Sequence, residues 1–131
     1  MKGMPRAHSV FRVTAGGSVV EETIFPGSPM EMLSVYHMDK GNLLMTHYCA
    51  LGNQPRMKLN AKKSMPQELV FEFDGGTNFN PRRDKHMRSL TLKLSAPSKT
   101  GPAKLTTAGT SWSEGMEDPR NCGETTLMRR K

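Results

Sequence analysis

The sequence predicts an all-β protein, an antiparallel up-and-down barrel of about nine strands in a single domain spanning residues 1–131. Three observations carry this expectation. Short windows that alternate apolar and polar residues, or that are rich in β-branched and aromatic ones, recur along the chain, while apolar residues at helical spacing are scarce. Turn residues separate these windows at intervals of about 8–14 positions, the rhythm of a meander. Finally, 131 residues of which 35% are hydrophobic supply one modest core and not two. Closure into a barrel removes exposed sheet edges, so it is preferred over an open sheet.

The strands are expected at about residues 8–14, 18–25, 31–38, 43–50, 56–62, 67–73, 86–95, 103–112 and 122–129. Ala15-Gly16-Gly17 and Pro26-Gly27-Ser28-Pro29 set off the second strand. The next two form the best-defined unit, a hairpin over residues 31–50 turning at Asp39-Lys40-Gly41-Asn42. With Lys40-Gly41 as the loop, Tyr36 opposes Met45, Ser34 opposes His47 and Met32 opposes Cys49. After Gly52-Asn53-Gln54-Pro55, Met57, Leu59 and Ala61 alternate with Lys58, Asn60 and Lys62. Leu69, Phe71 and Phe73 alternate with Glu68, Val70 and Glu72, and Leu90, Leu92 and Leu94 with Ser89, Thr91 and Lys93. The Gly75-Gly76 pair is read as a turn opening a long connection over residues 74–85. Residues 111–123, with Gly115 and Pro119, are read as a second long polar loop before the last strand.

The net charge is +7 with 19 basic residues, which raises the question of a polyanionic partner. The basic residues fall in short scattered runs, Lys62-Lys63, Arg82-Arg83 and Arg129-Arg130-Lys131, without interleaved aromatics for stacking bases, so no specific nucleic-acid partner is expected. No stretch approaches the roughly 18 consecutive apolar residues of a transmembrane helix. The opening Met1-Lys2-Gly3-Met4-Pro5 lacks the apolar core of a signal peptide, so a cytoplasmic, membrane-free protein is expected. Cys49 and Cys122 form no Cys-x-x-Cys and are expected to be buried free thiols.

The runs Thr46-His47-Tyr48-Cys49 and Gly52-Asn53-Gln54-Pro55-Arg56-Met57, with Phe73-Asp74-Gly75-Gly76-Thr77-Asn78 and Asp84-Lys85-His86-Met87, resemble a family of small bacterial calycin-like proteins. That family is similar in architecture to lipocalins and nitrobindin-type barrels. The resemblance covers roughly residues 11–94 and implies a fold, not a reaction. Relatives begin with an additional strand bearing a Gly-x-Trp-x-Gly-like element that has no counterpart before Phe11, so a barrel short of its first strand is expected.

His47 and Cys49 share a strand face, with Tyr36 and Ser34 opposite. Such a polar group inside a barrel can contact a ligand or, with His47 as acid or base, support catalysis. It can equally be internally satisfied. Arg56, at the start of a strand, could clamp an anion at the barrel mouth, or pair with Glu22, Glu31 or Asp74. Of the remaining histidines, only His86 is a conceivable companion of His47, and no metal site or cofactor is expected. The expectation is a barrel binding a small, mainly apolar molecule with one polar end, contacted by Tyr36, His47, Cys49, Arg56 and His86. A hydrolase- or isomerase-like enzyme using His47, and a filled barrel that acts as an interaction protein or homodimer, are the alternatives.

Overall fold

The computed structural model describes residues 9–96, 104–113 and 116–126, with residues 104, 113 and 116–126 placed by their backbone. Nine antiparallel strands follow one another in a single sheet, each hydrogen-bonded to its sequence neighbours. They are β1 (Ser9–Thr14), β2 (Val19–Ile24), β3 (Met32–Asp39), β4 (Asn42–Tyr48), β5 (Gln54–Leu59), β6 (Glu68–Thr77), β7 (His86–Ser95), β8 (Lys104–Ser113) and β9 (Met116–Thr126). The all-β, up-and-down architecture is thus the one the sequence predicts.

The sheet curls: the rings of Tyr36 on β3 and Phe71 on β6 meet edge to face at 5.8 Å, with two strands between them. Among the described residues β1 and β9 do not pair, which leaves an open half-barrel. The strand alternation decides what fills it. Tyr36, Met45, Met57, Phe71, Leu90, Leu92 and Leu105 form the core, with Phe11, Val20, Leu43, Leu59, Leu69 and Met87 packed against it. Met45, Met57 and Phe71 are wholly excluded from solvent. Removing apolar area of this kind from water is the main force that keeps such a sheet curled.

The β3–β4 hairpin has the expected register, with Tyr36 opposite Met45, Ser34 opposite His47 and Asp39 opposite Asn42. Lys40 and Gly41 both take positive φ, 50° and 84°, which matches the twist of the flanking strands. Pairing ends at Leu33 and Tyr48, so the expected Met32–Cys49 rung is not formed.

Two expectations are corrected. Gly75-Gly76 is not a turn: β6 continues through it to Thr77, with Gly76 opposite Pro55. The register shifts between Pro55 and Met57, and the glycines, at φ 90° and 146°, absorb that irregularity where other residues would be strained. Nor are residues 111–123 a long loop, because β8 runs to Ser113 and β9 begins at Met116. Pro119 and Gly123 read as breakers, yet among the described residues β9 is bonded by β8 alone, and such an edge strand tolerates both. The register shift between Gly109 and Ser111 falls opposite the stretch containing Pro119.

Candidate functional site

Two polar clusters are built into the apolar interior. The first is a row across β2, β3 and β4, where Glu22 opposes Ser34 and Ser34 opposes His47. All three are buried. Tyr36, one inward position further along β3, donates its hydroxyl to Glu22 Oε1 at 2.9 Å, and Ser9 on β1 donates to Glu22 Oε2 at 2.8 Å. Ser34 Oγ and His47 Nδ1 are 2.9 Å apart.

The electrostatics of this row are those of a dry place. Burial raises the Glu22 carboxyl above its ordinary range, with the Ser9 and Tyr36 hydroxyls opposing that rise. Burial, with the negative charge of Glu22 and the hydrogen bond to it, pushes the Tyr36 hydroxyl well up. Desolvation takes His47 down to about 4, so its imidazole is neutral at pH 7 and a weak base there. Each carboxylate oxygen has a donor, and the serine serves the histidine, so the row is satisfied from within.

The second cluster lies where the ends of β4, β6 and β8 meet the starts of β5 and β7. Gly52, at φ 87°, closes a turn onto Cys49 O, and the Cys49 N–H bonds Asn53 O at 3.0 Å, which fixes Asn53 at the entry to β5. Across the sheet, the Asn80 N–H binds the Asp84 carboxylate, and the Asp84 N–H returns to Asn80 O, each at 2.8 Å. This loop delivers His86 to the start of β7. Asn53 Nδ2 then reaches Lys85 O at 2.9 Å, and His86 Nδ1 reaches Asp84 O at 2.7 Å.

His86 is 1% exposed and is packed among aromatic rings: Phe79 at 4.6 Å, Phe73 at 5.1 Å and Trp112 at 5.5 Å between centroids. The guanidinium of Arg88 lies 4.7 Å over Phe73 and 5.9 Å from the Trp112 ring. Inside this cluster Asn53 Oδ1 and His86 Nε2 are buried with no hydrogen-bond partner, the two such side-chain atoms among the described residues. Buried polar atoms are nearly always paired, so these two set this cluster apart from the rest of the described interior.

The residues expected from the sequence are therefore distributed over two clusters and the surface. Tyr36 and His47 share the first cluster, and His86 anchors the second. Cys49 is a half-buried free thiol whose backbone closes the turn beside Asn53. The side chain of Cys122 lies outside the described residues. Arg56 is not brought to either cluster. It pairs across the strands with Thr46 on the outward side, donates to Asp74 O at 2.9 Å and forms an exposed ion pair with the Asp74 carboxylate at 3.7 Å. Of its three expected partners, Asp74 is the one it has.

Sequence reasoning missed Glu22 and Asn53 as members of buried clusters. For Glu22 a signal existed: Glu21 and Glu22 are adjacent in a strand, so one of them must point inward. Glu21 takes the outside, bonded to Arg12 at 2.8 Å. A surface depression of about 410 Å³, lined mainly by Asn42, Lys58, Asn60, Lys62, Glu72 and Asp74, includes none of the buried polar groups. Among the described residues no group of three or more metal-ligating side chains converges. No family model, curated protein or solved structure matches the chain.

Proposed function

We propose that this chain is a calycin-like barrel that binds a small, mainly apolar molecule with one polar end, the polar end lodging against Asn53 and His86. Phe73, Phe79 and Trp112 offer the apolar surface beside them, and the core is continuous with that surface through Phe73, which opposes Met57. The observation that carries this reading is the pair of unpartnered buried atoms, Asn53 Oδ1 and His86 Nε2, in an interior whose other polar row is satisfied. Ligand sites are mostly apolar with a few placed polar groups, and this cluster has that make-up. Tyr36 and His47 then form the internal framework of the barrel, with no reaction assigned to them. The free thiol of Cys49 suits a reducing, cytoplasmic setting.

Native mass spectrometry of protein purified without denaturation tests this reading. A stoichiometric small-molecule adduct is expected, lost in His86→Phe and kept in His47→Gln. An adduct retained by His86→Phe would overturn the assignment of the site.

A second reading has its own observation. Met45, Met57 and Phe71 are completely excluded from solvent, as in a barrel filled by its side chains, and among the described residues one edge of β1 has no partner strand. That reading makes the chain an interaction protein and predicts a clean adduct-free dimer in the same spectrum.

A further inference from the structure

The hydrogen bonds around the unpartnered pair restrict what can complete it. A backbone carbonyl only accepts, so in the neutral imidazole the contact to Asp84 O places the ring proton on Nδ1. His86 Nε2 is then a bare lone pair. The same logic orients Asn53: its Nδ2 donates to Lys85 O, which turns Oδ1 to the unpartnered side. The two carbonyls belong to the consecutive residues Asp84 and Lys85, directly ahead of His86, so both acceptors stand at the same end of the sheet. Neither can rotate into a donor without breaking its own backbone bond.

Charge narrows the choice further. Arg88 lies over Phe73 and Trp112, two of the rings that flank His86, so a ligand cation there would sit beside a guanidinium. A carboxylate or phosphate would face two lone pairs and find no donor on either. The Arg88 guanidinium is turned onto ring faces instead of toward an acceptor pair.

Resting on the binding function proposed above, we infer that the polar end of the ligand is an uncharged hydrogen-bond donor, a hydroxyl or a primary amide, carried on an apolar or aromatic body. A single donor of this kind satisfies His86 Nε2 or Asn53 Oδ1. This discrimination is the strong kind in recognition, because a ligand without the donor leaves a buried acceptor unpaired.

Four probes that share one ring separate the cases: benzyl alcohol, benzamide, benzoate and benzylamine, titrated at pH 8 into uniformly ¹⁵N-labelled full-length protein. The long-range ¹H–¹⁵N spectrum reports the His86 ring nitrogens directly. Benzyl alcohol and benzamide are expected to move the Nε2 resonance saturably, at least about tenfold tighter than benzoate or benzylamine. Asn53→Ala is expected to weaken benzamide by about tenfold, the usual worth of one buried hydrogen bond. The probe comparison itself needs no variant, so a poorly folding Asn53→Ala does not blunt the test. Benzoate binding tightest, or benzylamine binding tightest, would overturn the neutral-donor assignment while leaving a binding barrel in place. If no probe moves the His86 signals, the binding function falls and this inference with it.

Discussion

His47 and Glu22 flank Ser34 in one buried row, and because burial disfavours the charged form of each, their pKa values move in opposite directions and pH separates them. His47 is neutral in the fold with its pKa near 4, against an ordinary value of 6.5, so the unfolded chain takes up its proton first. Its contribution to stability is complete above the unfolded value. That contribution is lost as pH falls from 6.5 toward 4, by roughly 3 kcal/mol at most at about 1.4 kcal/mol per pH unit. Glu22 has the reverse sign. Its folded pKa is raised from 4.5, so its contribution is complete below that value and declines as pH rises toward the folded one. Urea denaturation of His47→Gln is therefore expected to show a much flatter stability between pH 4 and 6.5 than the parent chain. An unchanged slope would mean that the histidine is hydrated in the fold. In Glu22→Gln the amide keeps partners for Ser9 and Tyr36 without a charge to desolvate. Its melting temperature relative to the parent should rise as pH climbs above 4.5 and level off once Glu22 is ionised in the fold, and a pH-independent offset would refute the buried-carboxylate argument. Tyr36→Phe leaves Glu22 Oε1 without its donor and is expected to cost about 1–3 kcal/mol at neutral pH.

At the scale of elements, the hairpin and the β5–β6 ladder show why some of the site was legible in the sequence and some was not. Two glycine-compatible turn residues and a strict two-residue alternation fix a register, so Ser34 opposite His47 and Tyr36 beside them follow from local chemistry alone. The same alternation, with Met57 and Leu59 inward, places Arg56 on the outer side with Lys58; proximity to a turn was the weaker guide. The meeting of Asn53 with residues 84–86 depends on how far the sheet curls and on where β6 ends, and no local pattern encodes either. The end of β6 was obscured by Gly75-Gly76, which has turn composition but sits in a ladder. Gly76 explains why the pair is there. A Cβ at that position would lie 2.5 Å from Gln54 O, 2.6 Å from a Phe79 ring carbon and 2.8 Å from Pro55 Cα, at φ 146°. Two of these neighbours are backbone and cannot retreat. At Gly75 the nearest atom is the flexible Arg56 Nη2 at 3.3 Å. Gly76→Ala is thus expected to cost about 2 kcal/mol or more, against about 1 kcal/mol for Gly75→Ala. Because Phe79 also stacks on His86, Gly76→Ala should perturb the His86 ring signals as well. Equal costs in chemical denaturation would show that φ, and not crowding, dominates at both sites.

For the molecule as a whole, the decisive feature is that a meander of nine strands curls without a described pairing between its first and last members. Stability must then grade from the middle of the sheet outward. β3 to β7 carry Tyr36, Met45, Met57, Phe71, Leu90 and Leu92, six of the seven buried core residues, and each of these strands is bonded on both sides. β1 contributes Phe11 from its margin and, among the described residues, is bonded on one side, to β2, with Val13 65% exposed. Its outer face carries Arg12, held to Glu21 at 2.8 Å, and a charge of this kind on an edge discourages another strand from adding to it. In an antiparallel edge strand alternate N–H groups point away from the only neighbour. Native-state hydrogen exchange is therefore expected to protect every second amide of β1, and those only weakly, while amides of β3 to β7 exchange near the free energy of global unfolding. Uniform protection along β1 at high protein concentration, lost on dilution, would show that a second copy completes the sheet and would move the filled, associating barrel ahead of the binding one. Alternating protection that does not change with concentration leaves the half-barrel as the folded unit, with the Asn53–His86 cluster as the unsatisfied part of its interior.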